Sequence, residues 1–163
     1  MPKAFPAEMY SSLVCVCDPN ATLIREQDDL VCSRCALRHP IVDGVPVIFH
    51  PENSVFDATE TIERYRASAR RPKRNLFATL RRFVPKVRAN LIADQIAGRI
   101  RSMLPPGSKP RVLVVGGGDT GGAGLQSILD DPNCTTIESD IHFGARANLI
   151  ADGHNLPFRS ETF

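Results

Sequence analysis

The stretch that most constrains this chain is Arg111–Gly124, RVLVVGGGDTGGAG. Val112-Leu113-Val114-Val115 is an uninterrupted apolar run rich in β-branched residues, as expected of a strand buried on both faces, and it runs directly into glycine. Gly116, Gly118 and Gly121 have the G-x-G-x-x-G spacing. That spacing lets the backbone turn sharply, approach a ligand closely and pack the next helix on the sheet. A strand, a tight turn and a helix are therefore expected, with a nucleotide-like ligand at the turn. Asp140, after the next strand, stands where an acid binds ribose hydroxyls, and Glu138 is its rival within that strand.

The surrounding pattern continues as α/β. Strands are expected over 111–115, 134–139 and 147–151, with a helix over 122–129 and the turn Asp130-Asp131-Pro132-Asn133 between them. Alternation of this kind implies a parallel sheet. A helix over 86–103, with Leu91, Ile92, Ile96, Ile100 and Met103 on one stripe, should cover that sheet. It stops at Pro105-Pro106-Gly107.

The first 50 residues differ in character. Four of the five cysteines lie between Cys15 and Cys35, which points to a metal in a reducing compartment rather than to disulfides. Cys32-x-x-Cys35 has zinc-knuckle spacing, and Cys15-x-Cys17 is one residue short of it. All four are candidate ligands of a structural zinc, and His39 is a possible replacement. Cys134 stands apart as a small buried side chain in a strand. Asp43-Gly44 between two apolar runs is a strong hairpin signal.

Between Arg64 and Arg88 there are ten Lys or Arg and no Asp or Glu, although the whole chain carries only +2. Such a segment can contact RNA phosphates. The spacing of Leu76, Phe77, Leu80 and Phe83 equally suits an ordinary amphipathic helix with a solvated basic face, and that reading is preferred. No apolar run approaches the roughly 20 residues of a membrane span, and the N-terminus lacks a signal-peptide core, so no membrane partner and a cytoplasmic location are expected.

Two resemblances follow from these motifs. The cysteine pattern together with Pro40-Ile41-x-Asp43-Gly44-Val45-Pro46-Val47 resembles the small zinc-ribbon proteins that act as activator subunits of tRNA and rRNA methyltransferases. Cys15-x-Cys17 departs from that family's usual spacing. The second resemblance covers residues 90–163. There Ala151-Asp152-Gly153-His154-Asn155-Leu156-Pro157-Phe158 resembles the Asp-Ala-x-x-Leu-Pro-Phe segment of class I S-adenosylmethionine-dependent methyltransferases. It implies that Gly116, Gly118, Gly121 and Asp140 bind the methionine and ribose parts, while Asp152 and Gly153 meet adenine. Val114 stands where that family often has an acid, and the glycine loop is one residue longer.

These observations lead to three expected units: a zinc-ribbon-like domain over 1–50, a basic helical linker with covering helix over 51–110, and part of an S-adenosylmethionine-binding domain over 111–163. The expected fold class is α/β, a partial Rossmann-like parallel sheet forming the first three strands of a seven-stranded methyltransferase fold. The expected function is that of a methyltransferase truncated to its cofactor-binding half, with no catalytic residue assigned. The alternatives are a non-catalytic ribbon and basic-helix module that docks or activates a methyltransferase or RNA, and an NAD- or FAD-linked oxidoreductase fragment.

Overall fold

A computed structural model describes residues 2–69, 91–104, 109–117 and 125–163 of the 163-residue chain, with side chains from 95 onward in the second of these segments. After a 3₁₀ turn, Ala7–Ser12, come β1 (Val14–Cys15), β2 (Asp18–Glu26), β3 (Asp29–Cys32), β4 (Arg38–Val42) and β5 (Val45–Ile48). Then follow α1 (Ala58–Ala69), α2 (Leu91–Met103), β6 (Arg111–Val115), α3 (Gln126–Leu129), β7 (Thr135–Asp140) and β8 (Leu149–Ala151). Among the described residues no helix is long and apolar enough to cross a membrane.

The eight strands form one mixed sheet in the order β1-β2-β3-β4-β5-β8-β7-β6. β1 to β5 pair antiparallel in sequence, and β5, β8, β7 and β6 are mutually parallel neighbours. This overturns the expected fold class of a three-stranded Rossmann-like sheet preceded by a separate ribbon and a helical linker. The overturning contact is β5 with β8, where Val47 lies opposite Ile150 and Ile48 opposite Ala151. Its cause is legible in β5: Val45, Pro46, Val47 and Ile48 are all buried, so this strand must be covered on both faces and on both edges. A small hairpin sheet could not do that alone.

The period-2 alternation of strand side chains divides the core in two. On one face Ile48, Leu149, Ala151 and Ile137 pack with Phe5, Met9 and Leu13 from the N-terminal segment. On the other, Val45, Val47 and Ile150 pack with Phe49, Ala147 and Ile62 of α1. Tyr65 of α1 stacks on Phe143 at 4.2 Å between ring centres and donates its hydroxyl to Asp43 at 2.7 Å. That anchors α1 to the β4–β5 turn and to the β7–β8 connection.

Local expectations fared unevenly. Asp43 and Gly44 have φ of 51° and 80°, and Val42 faces Val45, so the expected two-residue hairpin is present. α2 covers 91–103 of the expected 86–103 helix and α3 covers 126–129 of the expected 122–129 helix, while residues 86–90 and 122–124 lie outside the described residues. β6 is partly exposed rather than buried on both faces, with Val115 at 51%, because among the described strands it is the last of the sheet. Cys134 precedes β7 and is only half-buried. The basic residues from Arg70 to Arg88, and the Leu76–Phe83 stripe, lie outside the described residues.

Candidate metal centre and nucleotide site

Cys15 ends β1 and Cys32 ends β3, so the β1–β2 and β3–β4 connections bring their thiols to one place. Cys35 follows in the second connection. The three sulfurs lie within 4.8 Å of one another, and Cys15 Sγ and Cys35 Sγ are 3.7 Å apart. Two thiolates on one tetrahedral zinc at the usual Zn–S distance of about 2.3 Å are separated by about 3.8 Å, so the Cys15–Cys35 pair is spaced as zinc ligands are and Cys32 lies close enough to join them. The backbone N–H groups of Arg34 and Cys35 each donate to Cys32 Sγ at 3.4 Å, the knuckle arrangement that a two-residue spacing permits. Arg34 also reaches Asp18 at 2.5 Å, tying the β3–β4 connection to the start of β2.

The thiols differ in their protonation. Burial pushes Cys15 up to about 12 and also raises Cys17. Burial opposes ionisation at Cys32 as well, but the Cys35 and Arg34 N–H groups outweigh it and hold this thiol below the ordinary range. Cys32 is thus the sulfur best prepared to meet a cation. Cys17, an expected ligand, is exposed and stands outside the group of three. Its thiol nevertheless interacts with those of Cys15 and Cys35. His39 does not join the sulfurs either. It sits on β4 opposite Leu30, 3% exposed, with Nε2 unpaired and its pKa lowered by burial to about 4.

At the other end of the sheet, the carboxyl ends of β6, β7 and β8 point the same way. Gly116 leaves β6 at φ 72°, a left-handed conformation that favours glycine, and donates its N–H to Ser139 O at 2.8 Å. Gly118 and Gly121 lie outside the described residues. Asp140 is the last residue of β7, half-buried, and its carboxylate accepts the His142 N–H at 3.1 Å. Asp152 follows β8 directly and is 7% exposed. One of its oxygens accepts the Ser54 hydroxyl at 2.9 Å; the other accepts the His154 N–H at 2.9 Å and lies 3.0 Å from His154 Nδ1. The His154 N–H, ahead of the Ser54 hydroxyl, holds this carboxyl below its ordinary range in spite of burial. At Gly153 an added Cβ would lie 3.0 Å from Val115 Cγ1, so the turn after β8 rests on the end of β6 and a side chain there would require Val115 to shift. Gly116, Asp140, Asp152 and Gly153 therefore share one rim.

Glu138, the rival to Asp140, is engaged within the sheet. It is 3% exposed, and Arg146 Nε donates to both of its oxygens at 3.0 Å while the same guanidinium reaches Asp130 at 2.9 Å. Asn148, fully buried, accepts the Glu138 N–H and donates to Thr136 O, extending the ladder where β8 has not yet begun. Leu156-Pro157-Phe158 turns back onto the N-terminal segment: Phe158 bridges Leu13, and Pro157 O accepts the Val14 N–H at 3.0 Å. Ser54, Arg146 and Asn148 were missed by reasoning from sequence. Ser54 carries no signal at all, since its partner lies 98 positions away.

No family model matches the chain. A UPF0434 protein of Methylobacillus flagellatus (strain ATCC 51484 / DSM 6875 / VKM B-1610 / KT) is 33% identical over 58 residues, which are 35% of this chain and 97% of that protein. The converging thiols agree with the ribbon-like part of the first resemblance. Through that aligned third of its length, the chain belongs to the UPF0434 family.

Proposed function

We propose that this chain binds S-adenosylmethionine as the cofactor-holding part of a methyltransferase, and that its thiol cluster is a structural zinc centre. The observation that supports this is the shared rim formed by Gly116, Asp140 and the Asp152–Gly153 turn at the carboxyl ends of parallel strands. Ligands of open parallel sheets bind outside such ends. In this reading Asp140 accepts hydrogen bonds from the ribose hydroxyls. The Asp152 carboxylate, engaged by Ser54 and His154, fixes the turn whose backbone at Gly153 meets the adenine edge. Methyl transfer then depends on holding an acceptor in line with the sulfonium methyl, a gain from proximity.

Calorimetry with S-adenosylhomocysteine and with NADH tests the reading. S-adenosylhomocysteine should bind and NADH should not. Asp140→Ala should weaken binding by about tenfold or more, the usual worth of a hydrogen bond to a charged group. Tighter binding of NADH, or an Asp140→Ala variant with unchanged affinity, would overturn it. A second reading, a module that docks a methyltransferase or RNA, has one supporting observation: the aligned segment spans 97% of a separate small protein. RNA binding that weakens steeply with salt and is lost when Arg70, Arg71, Lys73 and Arg74 become Ala would favour it.

A further inference from the structure

The thiol cluster and the strand-end rim are joined by one short run of backbone. Cys15, whose sulfur is in the cluster, has the Val14 N–H bonded to Pro157 O on one side. On its other side Val16 O accepts Asn155 Nδ2 at 3.4 Å. Leu13 bridges Phe158, and the Arg159 N–H donates to Ser12 O at 3.0 Å. Residues 155–159 are thus stitched to residues 12–16 around a thiol of the candidate metal centre. At its near end the same run begins in the rim itself, because the Asn155 N–H donates to Asp152 O at 3.0 Å.

The stitched strand is also where the sheet is least regular. β1 has two residues and a register shift between Val14 and Cys15, so ladder bonds alone position it weakly. Cys32 and Cys35 belong to the better-paired β3 and its turn. An ion held by all three sulfurs would pin the short strand to the firm one.

We propose that a divalent metal at Cys15, Cys32 and Cys35 and a nucleoside ligand at the carboxyl ends of β6–β8 bind with positive coupling. β1 carries the effect into residues 152–158, and Asn155 acts as the positioning residue between the two sites. The ligand half rests on the S-adenosylmethionine reading; the mechanical half does not. The metal settles the ordering of the rim turn in advance, so the ligand binds with less loss of conformational freedom. By linkage the ligand must tighten the metal by the same factor.

The test separates the halves. Hydrogen exchange of the 152–158 amides is measured with and without one equivalent of zinc and with no other ligand. Zinc should slow these amides by about fivefold or more, the lower range of ordinary coupling, while the β7 amides of residues 135–137 stay unchanged. Unchanged exchange at 152–158 overturns the proposal whatever any nucleotide does. If the zinc-free protein loosens throughout, β7 included, zinc-loaded Asn155→Ala decides, because it should show fast exchange at 152–158 alone. An Asn155→Ala variant that keeps the full zinc effect removes Asn155 from the route. Calorimetry with S-adenosylhomocysteine should then show about fivefold or greater tightening by zinc in the parent chain and a smaller one in Asn155→Ala, which keeps the backbone bonds of 157–159 to 12–14. Equal affinity with and without zinc overturns the coupling. Slowed exchange with no nucleotide binding in either state overturns the nucleotide reading and leaves the mechanical link standing.

Discussion

The two ends of the sheet assemble their polar chemistry in opposite ways. At the antiparallel end Cys15 and Cys35 meet across 20 positions, through hairpins whose turns are coded by neighbouring residues. At the parallel end Ser54 meets Asp152 across 98 positions, and Asp130, Glu138 and Arg146 are gathered from a helix end, a strand and a connection. Hairpins make near neighbours of residues already near in sequence, whereas parallel strands need crossovers. The difference teaches that the thiol end can be fixed late by a single ion, while the parallel end must be held by pairs buried in the sheet itself.

The largest expected effect breaks that comparison if it fails. Glu138 is 3% exposed and Arg146 is its charged partner, so Arg146→Ala leaves a buried carboxylate uncompensated. Removing one member of a buried pair costs about 3–5 kcal/mol. Urea unfolding should show that loss, whereas zinc affinity at the other end of the sheet should hardly change in the folded variant. A cost under about 1 kcal/mol would mean that apolar packing of Ile137 and Ile150 alone holds the parallel strands.

Legibility follows the same division. Asp43-Gly44, Cys32-x-x-Cys35 and the strand at 111–115 were readable because each depends on local backbone geometry or local periodicity. The pairing of β5 with β8 was not, since nothing in Val45–Ile48 names its partner. The absence of polar alternation there is what a strand covered on both faces shows, and the expected three-stranded parallel sheet over 111–163 left β5 without a place in it. Glu138 was weighed as a ribose ligand because its counter-ion lies eight residues on in a connection without a pattern of its own. In the candidate site, the positions at strand ends were legible, and the bonds that occupy Asp152 were not.

A smaller effect sharpens the comparison from the antiparallel end. His39 is buried with Nε2 unpaired, and its pKa falls from an ordinary 6.5 to about 4. The unfolded chain therefore takes up a proton between these values that the folded chain refuses. Stability is at its full value above about pH 6.5 and is lost as pH falls toward 4, by about 3 kcal/mol in all. Urea midpoints at pH 7.5 and pH 4.5 measure it, and His39→Leu should remove most of the difference. If His39→Leu keeps the full acid sensitivity, the buried imidazole is not its source, and burial of His39 costs the antiparallel end nothing in acid.

The smallest effect concerns where the metal centre ends. Cys15, Cys32 and Cys35 form the group and Cys17 stands exposed outside it. Cys35→Ser removes a ligand and should weaken zinc by more than about a hundredfold, beyond what loss of an outer partner costs. Cys17→Ser should weaken it by no more than about 10–100-fold, as loss of a neighbour of the centre does. Competition with a chromophoric chelator reads both. Affinity in the parent should rise with pH, because zinc must displace the thiol proton that burial holds on Cys15. If Cys17→Ser is as damaging as Cys35→Ser, the register shift at Cys15 relaxes when the ion enters, and Cys17 swings in as a fourth thiolate. The irregular end of β1 would then be the part of the hairpin that waits for the metal. The antiparallel end would complete its site only on binding, in contrast to the carboxylates of the parallel end, which are already held.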